Sequence, residues 1–459
     1  MKILFISHNS PSRSKHFGGT EHLYKEIIDA ASSANIDFFE MTPEIGSKQI
    51  TWQIRNIKGR VWELKQPRLS TEPYFFGNHQ YSNWMSEFLV NNRIDLVHIF
   101  HQMWTPLSTI PIAQNLGITT VTTIHDFSHI CDSFNLLDEN STYCKILEQK
   151  NSNKCSSCAC KRGSSTERLT LLRAAYFKIF EKVDVVTVGT HFSKTHLINF
   201  YNLEPSKILI IPPKVTTNIS VKTKVPKTIL ILGNFTIPKG AKLSLELMKN
   251  VQLKDFAFIQ AGRIDHDFIS ELKSLDNSRD KTSILGQYSL GEIPNITASI
   301  AFFGSIWPET YCIAASEALE MGLKIVVPEI GAFIDRFKGM ENIFFYEPEN
   351  LESAIASILI ADNFSYVEVH LPEDPLYSSE ILKLYIQLGS RKLTSGNFHS
   401  EFNSWETSNI NMLGFHNNDS NFLDPSRPSL VKVFIARSKS VGWFQALADA
   451  FSYIMRKLN

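Results

Sequence analysis

The chain has 459 residues, long enough for two domains with extensions. Lysine plus arginine and aspartate plus glutamate both number 46, so the formal charge is zero and no basic field favours nucleic acid. Hydrophobic residues make up 43% and charged residues 20%, the balance of a folded globular protein, and no run of about 18 apolar residues predicts a membrane-spanning helix.

The opening MKILFISHN carries one charge and a short apolar run without a small-residue cleavage site. It reads as a first strand rather than a signal peptide, and the expected compartment is the cytoplasm. After a polar loop, Gly18-Gly19-Thr20-Glu21 opens an amphipathic helix with Leu23, Ile27 and Ile28 on one face. Two glycines at a strand-to-helix junction permit close backbone approach, and the new helix N-terminus favours an anion. Residues 45–80 show no regular pattern; Trp52, Trp62, Tyr74, Phe75 and Phe76 predict a packed irregular region. Asp95–His101 and the β-branched Ile118–Asp126 predict buried strands. The second ends in His125-Asp126-Phe127, at the carboxyl edge of what should be a parallel sheet, where such sheets bind ligands. His98 and His101 read as structural.

Five of the six cysteines follow: Cys131, Cys144, Cys155, Cys158 and Cys160. Cytoplasmic chains rarely hold structural disulfides, so clustered thiols suggest a metal. Cys155-x2-Cys158 is a chelating turn that Cys131 and Cys144 can complete as a tetrahedral structural zinc site, with free thiols or redox pairs as the alternative. Thr166–Val183 predicts a long helix, Asp184–Thr190 a strand, and Ile208–Pro213 the close of the first domain. A polar linker, 215–226, leads to a second series of alternating strands and helices. Asp265-His266-Asp267 marks a helix start and is assigned no chemistry. Two alternating series predict two doubly wound domains.

In the second series, Trp307–Phe333 reads as loop, helix, strand, loop. It carries Glu309 and Glu317 in an E-x7-E spacing. On one continuous helix they would sit roughly 80° apart. With Glu309 in the entry loop, both reach one ligand, and the N–H groups of Tyr311, Cys312 and Ile313 offer a phosphate site.

This stretch resembles the donor-sugar site of retaining family 4 glycosyltransferases of the GT-B fold. The resemblance implies two doubly wound, Rossmann-like domains facing a cleft, and hexosyl transfer from a UDP- or GDP-sugar to a glycan or lipid-linked acceptor. Glu309 would touch the transferred sugar and Glu317 the nucleotide ribose. GGTE resembles the family's first glycine loop, so Gly18 and Gly19 would face the donor diphosphate and the acceptor. His125 takes the place of the histidine close to the anomeric carbon. Lys239, in Gly233–Gly240, would neutralise the leaving diphosphate. The family usually pairs that lysine with an upstream arginine, where this chain has Asn234; Arg263 is the candidate to compensate. Gly331 would approach sugar or phosphate with its backbone, and Gly286-Gln287-Tyr288 would flank the base. No catalytic metal is expected. Some polysaccharide-assembling members carry a similar HDF…C…C…C-x2-C insertion, which supports Cys131, Cys144, Cys155 and Cys158 as zinc ligands and leaves Cys160 spare. Many relatives read S-x-F and P-N-G where this chain has Thr190-His191-Phe192 and Pro212-Pro213-Lys214, so the interdomain edge is expected to differ. A nucleotide-sugar epimerase and a non-catalytic GT-B binding subunit are the alternative readings.

The domains therefore read as 1–214, with the cysteine-rich insertion at 131–160, and 227–375 on the donor side, with a helix at 376–390 crossing back. Residues 391–429 are rich in Asn and Ser and read as a low-complexity linker. In 430–459, Phe444, Leu447, Phe451, Ile454 and Leu458 form a narrow apolar seam, flanked by an excess of Lys and Arg. That amphipathic helix suits either a peripheral contact at the inner face of the plasma membrane or docking on protein.

Overall fold

The computed structural model describes residues 1–10, 18–68, 73–149, 152–161, 164–213, 224–278, 281–288, 296–365 and 376–389. The expected low-complexity linker and the amphipathic helix at 430–459, with its membrane contact, lie outside the described residues, as does most of the linker at 215–226.

The first sheet holds β1 (Lys2–Ile6), β2 (Asp37–Ile45), β3 (Gln49–Asn56), β4 (Val61–Pro67), β5 (Leu96–Ile99), β6 (Thr119–Ile124), β7 (Val185–Val188) and β8 (Ile208–Ile210). Their order is β4-β3-β2-β1-β5-β6-β7-β8. From β2 to β8 neighbours run parallel; β2, β3 and β4 form an antiparallel meander. Ile3, Leu4, Phe5 and Ile6 are fully buried, as a central strand covered on both faces requires.

The second sheet holds β9 (Thr228–Leu232), β10 (Ala257–Ala261), β11 (Thr282–Gly286), β12 (Ile300–Phe302), β13 (Lys324–Pro328) and β14 (Ile343–Tyr346). Its order is β11-β10-β9-β12-β13-β14, parallel throughout. Each sheet reverses its winding once: between β1 and β5 in the first, and between β9 and β12 in the second. Ligands of open α/β sheets bind in the crevice beyond the carboxyl ends of the strands at such a switch point.

Residues 45–67 differ from the irregular region expected. Ile50, Trp52 and Ile54 on β3 and Leu64 on β4 turn their side chains to one buried face, against Tyr81, Met85 and Phe88 of the helix His79–Asn91. Ile50-x-Trp52-x-Ile54 is a period-two signal that the neighbouring aromatic residues obscure. The Trp52 indole N–H donates to the Trp104 carbonyl at 2.9 Å, so the meander is tied to the loop after β5.

The helix Tyr377–Gly389 packs on the helix Gly19–Ser33 and the first sheet. Tyr377, Ile381, Leu384, Tyr385 and Leu388 share a core with Ile3, Phe5, Leu23, Tyr24 and Ile27. The last described segment thus returns to the first domain and covers its central strands. No helix among the described residues is long and apolar enough to cross a membrane.

Candidate active site

The site is built from loops at the carboxyl edges of the two sheets. In the second domain, the chain leaves β9, makes a 3-10 turn at Ile237–Lys239, and enters the helix Ala241–Lys249 through Gly240. Gly240 has φ +74°, and a Cβ there would stand 1.9 Å from the Gly304 carbonyl oxygen, so only glycine fits. The Pro238 carbonyl accepts from the Ile306 N–H at 3.0 Å. These contacts press the lysine turn against the loop that leaves β12.

That loop carries Glu309, which is 3% exposed. The Lys239 Nζ donates to Glu309 Oε1 at 2.6 Å, and the Ser305 hydroxyl donates to the same oxygen. Lys239 also lies 5.7 Å from the Trp307 ring centroid. Burial works to lower the lysine pKa, but the Glu309 carboxylate reverses it, so the net shift is upward and the ammonium is retained.

The helix Ile313–Glu320 begins two residues later than the expected phosphate site implies, with Cys312 as N-cap. The N-terminal N–H groups are therefore those of Ile313 and Ala314, while Tyr311 lies outside the helix. Cys312 holds φ +70°, an uncommon conformation for a side-chain-bearing residue. Arg336 holds the strained turn in place. It donates to the Tyr311 and Cys312 carbonyls at 2.5 and 2.9 Å and to the Ser316 hydroxyl at 2.7 Å, and its guanidinium lies 3.6 Å from the Tyr311 ring centroid. Sequence reasoning missed Arg336; an arginine inside the short helix Ala332–Phe337, after the PEIGAF turn, was the available signal.

Glu317, on the helix Ile313–Glu320, is 2% exposed, and its Oε2 accepts from the Tyr288 hydroxyl at 3.1 Å. Burial pushes its carboxyl up to about 7, with the Tyr288 hydrogen bond opposing. Packing also requires a glycine at Gly331. At φ +56°, the side a Cβ would occupy is filled by the Pro308 backbone, 2.5 Å away, so this glycine seats the Glu309 loop. Asn234 is exposed. Arg263 pairs with Asp265 at 3.4 Å and is about half exposed, so its charge is already shared at the surface.

The first domain meets this assembly directly. The Thr310 hydroxyl donates to the His125 carbonyl at 2.6 Å, and the Thr190 hydroxyl donates to the Thr310 carbonyl at 3.1 Å. The Phe192 N–H donates to Asp335 Oδ2 at 2.9 Å. A Cβ on Gly19 would stand 3.0 Å from the Ile313 side chain, so the glycine loop and the N-terminus of the helix Ile313–Glu320 face each other. Gly18 precedes that loop's helix as its N-cap. Burial lowers His125 to about 3, so its ring is neutral at physiological pH. The Gly18-Gly19 turn, the N-terminus of the helix Ile313–Glu320 and the loop that holds the Lys239–Glu309 pair thus adjoin the His125 backbone between the domains, an arrangement suited to binding an anionic leaving group and a polyhydroxylated one together.

Two family models match the chain: Glycosyltransferase Family 4 over residues 17–218 and Glycosyl transferases group 1 over residues 216–362. The chain belongs to the GT-B glycosyltransferases. The sucrose-phosphate synthase of Thermosynechococcus elongatus has a similar fold, with a TM-score of 0.56 at 14% identity, over 84% of this chain and 98% of that one. The catalytic domain of starch synthase IV from Arabidopsis thaliana, bound to ADP and acarbose, gives 0.52 at 13%, over 85% and 99%. Anabaena HepE in complex with UDP-glucose gives 0.51 at 12%, over 85% and 100%. No curated protein matches the chain. The fold of this glycosyltransferase is thus two Rossmann-like domains of the GT-B type.

Cys131, Cys144 and Cys155 pack against the first-domain core. Burial pushes the Cys144 thiol up to about 12, and the neighbouring thiols of Cys131, Cys155 and Cys158 add to the shift. Arg173 donates to Cys155 Sγ at 3.5 Å and to the Ile130 carbonyl at 2.7 Å. Among the described residues, no three His, Cys, Asp or Glu side chains stand close enough together to hold a metal ion.

Proposed function

We propose that this glycosyltransferase moves a hexosyl group from a UDP- or GDP-sugar to a glycan or lipid-linked acceptor, with retention of anomeric configuration. The observation that carries the reading is the meeting of Gly19, His125, Lys239, Glu309 and Ile313 at one interdomain junction. In this reading, the donor diphosphate lies between the Gly18-Gly19 turn and the N-terminus of the helix Ile313–Glu320. Lys239 neutralises the charge that grows on the departing phosphate, and Glu309 fixes both the lysine and the sugar. Glu317 accepts from the ribose hydroxyls. The bond from the anomeric carbon to the phosphate breaks through an oxocarbenium-like state. The acceptor oxygen bonds to that carbon on the same face, and its proton leaves with the phosphate. The ammonium and the helix N–H dipoles stabilise that charge, so the chemistry is assigned no metal. The complexes of starch synthase IV with ADP and acarbose and of HepE with UDP-glucose support a nucleotide-sugar donor.

A melting screen with UDP-, GDP- and ADP-sugars tests this reading. A true donor at a hundred times its Kd stabilises the native state by about 2.7 kcal/mol, a rise of several degrees. Incubation of the stabilising donor with acceptor then separates transfer from epimerisation and from binding without turnover. A flat screen overturns the proposal.

We also propose a structural zinc on Cys131, Cys144, Cys155 and Cys158, supported by an all-sulfur donor set, which suits zinc. Binding requires those thiols to come closer together than they stand among the described residues. Metal analysis of the purified protein is expected to find about one zinc per chain, lost in a Cys155→Ser/Cys158→Ser variant. Zinc-free, stable protein removes the assignment.

A further inference from the structure

Beside the donor machinery, at the winding reversal of the first sheet, lies a group of titratable side chains that the mechanism above does not use. His8 follows β1, His101 follows β5, and Asp126 follows β6; Glu21 lies in the first turn of the helix Gly19–Ser33. His8 Nε2 and Glu21 Oε1 are 3.1 Å apart. His101 Nε2 and Asp126 Oδ2 are also 3.1 Å apart, and the His8 and His101 ring centroids lie 4.3 Å from each other. The second sheet places Lys239 and Glu309 at its own reversal, so the two groups occupy equivalent positions in facing domains.

The hydrogen bonds distinguish the two histidines. The Met103 N–H donates to His101 Nδ1 at 3.2 Å, so the neutral ring carries its proton on Nε2 and gives it to Asp126. Both His101 nitrogens are satisfied. Glu21 is ionised, its carboxyl pulled down to about 2: burial opposes this, but the hydrogen bonds from His8 and from the backbone N–H groups outweigh it. Its Oε2 accepts from the Gly18 N–H at 2.9 Å, and its Oε1 accepts from His8 Nε2. His8 Nδ1 is then a bare lone pair, buried and without a hydrogen-bond partner among the described residues. A buried acceptor left unmatched in the free protein calls for a donor from a ligand. Burial and the neighbouring His101 lower the His8 pKa, with Glu21 and Asp126 opposing, so the ring stays neutral. His125, whose Nε2 is also unpartnered, completes the set of groups around it.

We propose that His8 Nδ1 is a recognition point for the sugar acceptor, accepting the hydrogen bond of one of its hydroxyl groups, with Glu21 holding the tautomer that makes this possible. The ligand class is a neutral polyhydroxylated glycoside. His101, held by Asp126, packs against the His8 ring. The assignment rests on the glycosyltransferase reading and adds the acceptor side to it. Protonation of His8 would turn the acceptor nitrogen into a donor and repel the hydroxyl hydrogen.

The experiment measures UDP-glucose or GDP-glucose hydrolysis, with water as acceptor, and transfer to octyl glucoside, across pH 5 to 8. His8→Ala is expected to raise the acceptor KM about tenfold, the size of one lost neutral hydrogen bond, with the donor KM within about twofold of wild type. His8→Asn, whose amide oxygen also accepts, is expected to recover part of the loss. Wild-type acceptor KM should rise toward the acid end of that range, as His8 takes up a proton, a dependence that His8→Ala abolishes. An unchanged acceptor KM in His8→Ala, or equal losses for donor and acceptor, overturns the assignment. Wild-type protein that turns over neither donor overturns the underlying reading and this one with it.

Discussion

Lys239→Ala is expected to lower kcat about 10²- to 10³-fold while the donor Kd changes far less. The reason is differential. In the ground state the diphosphate charge is spread and shared with helix N–H groups; in the transition state it concentrates on the oxygen leaving the anomeric carbon. Lys239 is the ammonium whose position is set by a 2.6 Å hydrogen bond to Glu309. Asn234 carries no charge where the resemblance places an arginine, so the expected effect of losing Lys239 is the larger. Removing the lysine also leaves a carboxylate whose side chain is 4% exposed without its cation. A lower melting temperature should therefore accompany the loss of rate, since one partner of a buried pair is costly alone. The double variant Lys239→Ala/Glu309→Gln separates the two effects: it should regain melting temperature and not activity. A kcat equal to wild type removes Lys239 from the chemistry.

Glu317→Ala is expected to weaken donor binding about 10- to 100-fold, the size of hydrogen bonds to a charged group. The pH dependence is the sharper measurement. Burial pushes this carboxyl up to about 7, against 4.5 as its ordinary value. Between those values the folded protein holds a proton that the unfolded chain has released. The contribution to stability is therefore fully present below about 4.5 and is lost as the pH rises through about 7. Ribose hydroxyls donate to the carboxylate, not to the acid. Donor affinity should thus rise with pH, about tenfold per unit below 7, and level off above it, with a proton released on binding. Calorimetry in buffers of different ionisation enthalpy reads that proton directly. Glu317→Gln should bind weakly and without the pH slope; donor affinity flat from pH 5.5 to 8 in the wild type would refute the role.

The sequence by itself determined the alternation of strands and helices, because apolar runs and glycine-marked turns are local properties. It also named most of the residues on the loops and helix that line the interdomain junction: Gly18 and Gly19 at a strand-to-helix junction, His125 at a strand end, Lys239 before Gly240, and the two glutamates eight apart. It did not resolve β2, β3 and β4, where dense aromatics blurred a period of two. Only the tertiary structure decided which of these residues meet. Lys239 and Glu309 are 70 positions apart, and Thr310 and His125 are 185 apart; adjacent β9 and β12 and the facing domain edges bring them together. It also assigned Gly331 to Pro308, Arg336 to the turn before the helix Ile313–Glu320, and His8 to Glu21. Those pairings follow from burial. A charge or a lone pair withdrawn from water takes whatever partner the packing places beside it, and spacing along the chain carries no record of that neighbour.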